Sequence, residues 1–167
     1  MFAAENVERN MVNAAGKSPC RILVADDELL IQKFVSQVLV GDGYDVTCVS
    51  SGDEALEMME RNSFDLIITD IVMPGTHNGL DVLAAAREGD ADYKVIVITG
   101  YHTDQTVERV VELGATDYML KPFDVVSLRS KVGLALNKGP GGSPPASPSY
   151  LPGLGRTPLI RRTQDRL

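Results

Sequence analysis

Five short aliphatic or β-branched runs recur along this chain: Ile22–Ala25, Val46–Val49, Leu66–Thr69, Val95–Thr99 and Tyr118–Leu120. The segments between and after them change period, with apolar residues spaced three and four apart. They are Leu30, Ile31, Phe34, Val35, Val38 and Leu39, then Ala55, Leu56, Met58 and Met59, then Leu80, Val82, Leu83 and Ala86. Val107, Val110, Val111 and Leu113 ahead of Gly114 follow, and then Val125, Val126, Leu128, Val132 and Leu136. Strands and amphipathic helices alternating five times predict a parallel sheet covered by helices on both faces. The continuously apolar runs at Ile22–Ala25 and Leu66–Thr69 fit strands buried on both sides. Ser51 followed by Glu54 matches a capping box and marks the start of the second helix.

The alternation stops near Asn137. Residues 138–167 are rich in Gly, Pro and Ser, show no period and carry five basic residues against one acid. Such a segment buries too little apolar surface to offset its ordering entropy, so a disordered basic tail is expected. Pro145–Pro148 fits a P-x-x-P spacing, read here as linker. Residues 1–18, with two acids and two bases, are expected to be a flexible extension without the apolar core of a signal peptide. The domain is then residues 19–137, with 20 acids against nine bases. That balance argues against a nucleic-acid surface. No apolar run reaches 18 residues, so no membrane span is expected. Cys20 and Cys48 lie in or beside strand-like runs and are read as buried thiols of a cytoplasmic protein, not as a disulfide framework.

In open α/β sheets the chemistry gathers outside the carboxyl ends of the strands. Asp26, Asp27 and Glu28 follow the first strand, Asp70 the third; Thr99 ends the fourth, and Lys121-Pro122 follows the fifth. Asp26, Asp27 and Asp70 converge if the first and third strands are neighbours. Three carboxylates at one point repel one another, and a hard divalent cation such as Mg²⁺ relieves that conflict while keeping open positions. Lys121 and the Thr99 hydroxyl suit a transferring phosphoryl group. Asp70, alone on the central strand, is the candidate nucleophile for an aspartyl phosphate. Taken singly, each feature has a plainer reading: Asp-Asp as a helix cap, Asp70 as a turn residue, Lys121-Pro122 as a surface turn. Their joint position at four strand ends favours the chemical reading.

With these residues in view, the chain resembles the receiver domains of two-component response regulators. The similarity rests on Ile22–Glu28 (ILVADDE), Asp65–Pro74 (DLIITDIVMP), Val95–Gly100 (VIVITG) and Gly114–Phe123 (GATDYMLKPF), within a match spanning about Cys20 to Leu136. It implies a flavodoxin-like (βα)5 doubly wound sheet with strand order 2-1-3-4-5. It implies Asp70 as phosphoacceptor from a histidine kinase or histidine phosphotransfer protein. Asp27, Asp70 and the backbone carbonyl of Val72 would be direct Mg²⁺ ligands, and Asp26 would act through a metal-bound water. Thr99 and Lys121 would bind the phosphoryl group, and Tyr118 would be the aromatic switch. The Lys121–Pro122 peptide would be cis. The face made by the fourth helix, fifth strand and fifth helix would take a downstream protein or a second copy.

The loop Pro74–Gly79 is one residue longer than the commonest family pattern, and its His77 is read as an exposed loop residue. Val72 and Tyr101 stand where the family varies around the attacking-water path. A haloacid-dehalogenase-like phosphohydrolase would need a second Asp where Val72 stands. A flavin or nucleotide binder would need a phosphate loop where Asp26-Asp27-Glu28 stand. No output domain is visible after Asn137. The expectation is therefore a stand-alone, non-enzymatic signalling module, with a receiver fragment of a larger hybrid kinase or regulator as the alternative.

Overall fold

The computed structural model describes residues 18–88, 93–100 and 103–137. The N-terminal extension, Tyr101 and the basic tail, all singled out above, lie outside them. The order is β1 (Arg21–Ala25), α1 (Leu29–Gly41), β2 (Asp45–Val49), α2 (Gly52–Arg61), β3 (Leu66–Asp70) and α3 (Gly79–Glu88). Then come β4 (Lys94–Thr99), α4 (Asp104–Glu112), β5 (Asp117–Leu120) and α5 (Val125–Asn137). All pairings are parallel, in the order β2-β1-β3-β4-β5. This is a flavodoxin-like, doubly wound (βα)5 architecture with the expected strand order. Four strands begin one residue before the apolar runs, at a polar or charged residue. The fifth, β3, instead takes in Asp70 at its carboxyl end.

Period-two alternation divides the sheet's side chains between two cores. Ile22, Val24, Leu66, Ile68, Ile96 and Ile98 face one way and are covered by Val35 and Leu39 of α1 and Leu128, Val132 and Ala135 of α5. Leu23, Ala25, Ile67, Val95 and Val97 face the other, beneath Ala55 of α2, Val82, Leu83 and Ala86 of α3 and Val110 of α4. Three-layer burial explains why the runs Ile22–Ala25, Leu66–Ile68 and Val95–Ile98 of the central strands are apolar at every position.

The helical stripes hold with three exceptions. Leu30 and Val126, 79% and 76% exposed, lie in the first turns of α1 and α5, beyond the carboxyl edge of the sheet that would cover them. Val111 on α4 is exposed beside buried Val110. The thiols also depart from expectation. Cys20 and Cys48 are half-buried, and neither forms a disulfide. Cys48 lies on the edge strand β2, where cover is incomplete, yet burial still pushes its thiol pKa up against an opposing bond with Ser36.

Ser51 caps α2, its hydroxyl accepting from Glu54 N–H at 3.2 Å. The reciprocal bond runs from Ser50 N–H to Glu54 Oε2 at 2.9 Å, one residue before the cap. The Asp-Asp pair does not cap α1. Glu28 occupies that N-cap position without using its side chain for capping.

Candidate functional site

The order of the sheet reverses on either side of β1 and β3, and the crevice between their carboxyl ends is where such folds bind ligands. Ala25 pairs with Thr69, which sets Asp26 beside Asp70. Thr99 pairs with Leu120, and Lys121 N–H donates to Thr99 O at 2.9 Å, so the lysine begins where β4 ends. Asp26, Asp27 and Asp70 bring one carboxylate oxygen each within 4.8 Å of one another. Asp26 and Asp70 are buried, and Asp27 is exposed.

Lys121 Nζ is the cation at the centre of this cluster. It donates to Asp70 Oδ2 at 2.7 Å and Glu28 Oε1 at 2.8 Å. It also stands 2.8 Å from Asp26 Oδ2. That last contact is an ion pair outside hydrogen-bonding angles, because Asp26 Oδ2 is buried with no hydrogen-bond partner. Burial pushes the Asp26 pKa up, against the Lys121 contact and the Glu28 N–H that Asp26 Oδ1 accepts at 2.9 Å. Burial acts to lower the lysine pKa, but its carboxylate partners Asp26, Asp70 and Glu28 outweigh it and hold the ammonium charged.

An orphaned buried carboxylate oxygen inside a three-carboxylate cluster fits a hard, oxygen-seeking cation. Asp26, Asp27 and Asp70 are the side chains placed to hold it. Val72, named for its backbone carbonyl, lies two residues past the end of β3, and its N–H lies 3.3 Å from Asp70 Oδ1.

Thr99 is buried at the end of β4. Tyr118, opposite Val97, is half-buried, its ring packed on the core beneath α2, α3 and α4. The Lys121–Pro122 peptide is cis. The loop from Asp70 to α3 is tied down along its length. Gly79 lies so close to the Asp70 carbonyl that an added Cβ would sit 1.8 Å from its oxygen. Asn78 Oδ1 accepts from Leu80 N–H at 2.8 Å, capping α3. His77 is exposed, as expected, but it has a partner. Its Nδ1 lies 2.6 Å from Asp53 Oδ1, while Thr76 N–H donates to Asp53 Oδ2 at 2.8 Å. These bonds hold the Asp53 carboxyl below its usual range.

Sequence reading missed one residue and one contact here. Gln32 is buried, and its Nε2 donates to Asp26 O at 2.6 Å, Ser50 Oγ at 3.0 Å and Val49 O at 3.2 Å. The signal was present: Gln32, Val35 and Leu39 share one helical stripe, and a polar residue on a buried stripe needs a partner. Gln32→Leu would leave the Asp26 carbonyl without this donor. It is expected to cost about 1–3 kcal/mol in a urea titration, with a loss under about 0.5 kcal/mol contradicting this account. For Glu28, placed by sequence among the strand-end acids, it is the bond to Lys121 that was missed, because nothing in its spacing distinguishes it from a helix-start acid.

Family comparison agrees with this geometry. Residues 22–133 match the response regulator receiver domain model. The chain is 35% identical over 152 residues to the DNA-binding transcriptional regulator NtrC of Azospirillum brasilense, covering 86% of this chain and 31% of that protein. It is 37% identical over 115 residues to the CAI-1 autoinducer sensor kinase/phosphatase CqsS of Vibrio cholerae, covering 67% of this chain and 17% of that one. The chain thus spans less than a third of either relative. The crystal structure of a CheY-like receiver domain protein from Methanospirillum hungatei superposes with a TM-score of 0.68 at 30% identity, covering 71% of this chain and 94% of that one. Strand order, acid cluster and matched span agree: the chain belongs to the response regulator receiver domain family of two-component systems.

Proposed function

We propose that this protein is a phosphorylation-controlled signalling module that accepts a phosphoryl group on Asp70 in the presence of Mg²⁺. The observation that carries the reading is the Asp26–Asp27–Asp70 cluster with Lys121 Nζ 2.7 Å from Asp70 Oδ2. The donor is a phosphohistidine of a histidine kinase or histidine phosphotransfer protein. A carboxylate oxygen of Asp70 forms the new P–O bond as the P–N bond breaks. The electron pair stays on the imidazole nitrogen, and a proton taken up from solvent water restores the neutral ring. Lys121 and the Thr99 hydroxyl stabilise the phosphoryl oxygens. When bound, Mg²⁺ would neutralise charge among the acids and on the phosphoryl group. The module acts on itself alone and turns over no external substrate. This is in keeping with a family of signalling modules.

The output is a change at the α4–β5–α5 face, which takes a downstream protein or a second copy of the chain. Phosphorylation adds charge and acceptor oxygens at the strand ends. Thr99 moves to donate to them, and the space it leaves is filled by the half-buried Tyr118 ring on the next strand. Favouring one arrangement by about 2–3 kcal/mol suffices for the switch. Thr99→Ala is expected to accept phosphate at Asp70 yet lose the distal response. NMR shifts of residues 104–112 and 125–137, recorded with and without beryllofluoride and Mg²⁺, report it. Equal shifts in the wild type and Thr99→Ala would show that the signal runs elsewhere. No helix among the described residues is long and apolar enough to cross a membrane, which suits an encounter with partners in the cytoplasm.

A further inference from the structure

Glu28 stands apart from the other acids of the site. It occupies the N-cap of α1, where an acidic side chain ordinarily accepts from the first-turn amides. Here its side chain caps nothing: the helix is entered through the Glu28 carbonyl, which accepts from Ile31 and Gln32 N–H at 2.9 and 3.0 Å. The carboxylate instead reaches 93 positions along the chain to accept from Lys121 Nζ at 2.8 Å.

The lysine ammonium has three protons. Two are engaged by Asp70 and Glu28, and the third side of the ammonium faces Asp26. The lysine side chain is 11% exposed, so few other approaches to it remain. An anion arriving at Asp70 therefore reaches Lys121 by displacing one of these carboxylates. The Asp26 and Asp70 side chains are 2% and 8% exposed, and neither regains water on release. Glu28 is 58% exposed and rehydrates at once. An exposed ion pair is also the weaker kind, worth about 0–1 kcal/mol.

The geometry points to Glu28 as an exchangeable placeholder: its carboxylate occupies the Lys121 hydrogen bond that an incoming phosphoryl oxygen takes. Glu28 is a positioning residue, acting on the donor through Lys121. It keeps the ammonium aimed into the site while no donor is bound and competes with the donor's oxygens for it. The inference rests on Asp70 as phosphoacceptor.

The test uses the full chain with acetyl phosphate and Mg²⁺. A carboxylate oxygen of Asp70 forms the P–O bond as the bond from phosphorus to the acetyl oxygen breaks, and acetate leaves with the electron pair. Glu28→Gln keeps the size of the side chain and removes its charge. The acetyl phosphate concentration giving half-maximal phosphorylation is expected to fall several-fold, with Mg²⁺ affinity and melting temperature unchanged. At an ionic strength of about 1 M the screening length is about 3 Å, so general repulsion vanishes while a competitor in direct contact at 2.8 Å keeps part of its effect. Unchanged donor dependence in Glu28→Gln, or a difference that disappears at high salt, overturns the placeholder role. Wild-type protein that takes no phosphate at all overturns the acceptor assignment itself, a separate result.

Discussion

Asp70→Asn is expected to abolish phosphorylation completely. The substitution preserves the shape and most of the polarity of the side chain but removes the anionic oxygen that attacks phosphorus. The surroundings of Asp70 say why no neighbour replaces it. The Asp26 side chain is buried, 2% exposed, and burial pushes its pKa up. Asp27 is exposed on the loop after β1. Asp70 alone ends the central strand, with Lys121 on one oxygen and Val72 N–H near the other. Intact-mass spectrometry after incubation with acetyl phosphate and Mg²⁺ should show one added phosphoryl group on the wild type and none on the variant. A labelled variant, or a phosphopeptide lacking Asp70, would move the acceptor elsewhere.

Asp27→Ala is expected to separate metal binding from folding. The side chain is exposed, so the change itself should move stability by no more than about 0.5 kcal/mol. It also removes one of three carboxylates whose mutual repulsion the fold must hold together. Mg²⁺ affinity should fall by more than about tenfold, since loss of a mere outer partner of a metal ligand already costs 10–100-fold. Phosphorylation should fall with it. Calorimetric titration with Mg²⁺ measures the first effect, thermal melting without Mg²⁺ the control. An unchanged Mg²⁺ affinity with an intact fold would remove Asp27 from the metal site.

The five strands, five helices and the residues at the strand ends are all legible in the sequence, because each depends on local information. A β-branched run between helical periods needs no knowledge of its partner to be recognised. A polar residue that breaks such a run at its carboxyl end, as Asp70 does after Leu66–Thr69, marks a strand end wherever that strand lies. The acids and the lysine were therefore found one by one, and the family resemblance supplied the order of strands that joins them.

Tertiary structure alone decided what the side chains do once joined. The Asp53–His77 contact and the Lys121–Glu28 bond cross 24 and 93 positions, and neither residue pair has a periodic signature. The burial of Gln32 depended on which face of α1 meets the sheet and where the Asp26 carbonyl emerges. The exposure of Leu30 and Val126, and the partial cover of the edge-strand Cys48, followed from where the layers end. Composition and period report how much apolar surface a segment carries, whereas cover at a given residue depends on what the rest of the chain brings over it. The same holds for charge: three aspartates predict a need for a cation, but which oxygen lacks a hydrogen-bond partner, and which acid on Lys121 is open to water, are properties of the assembled site.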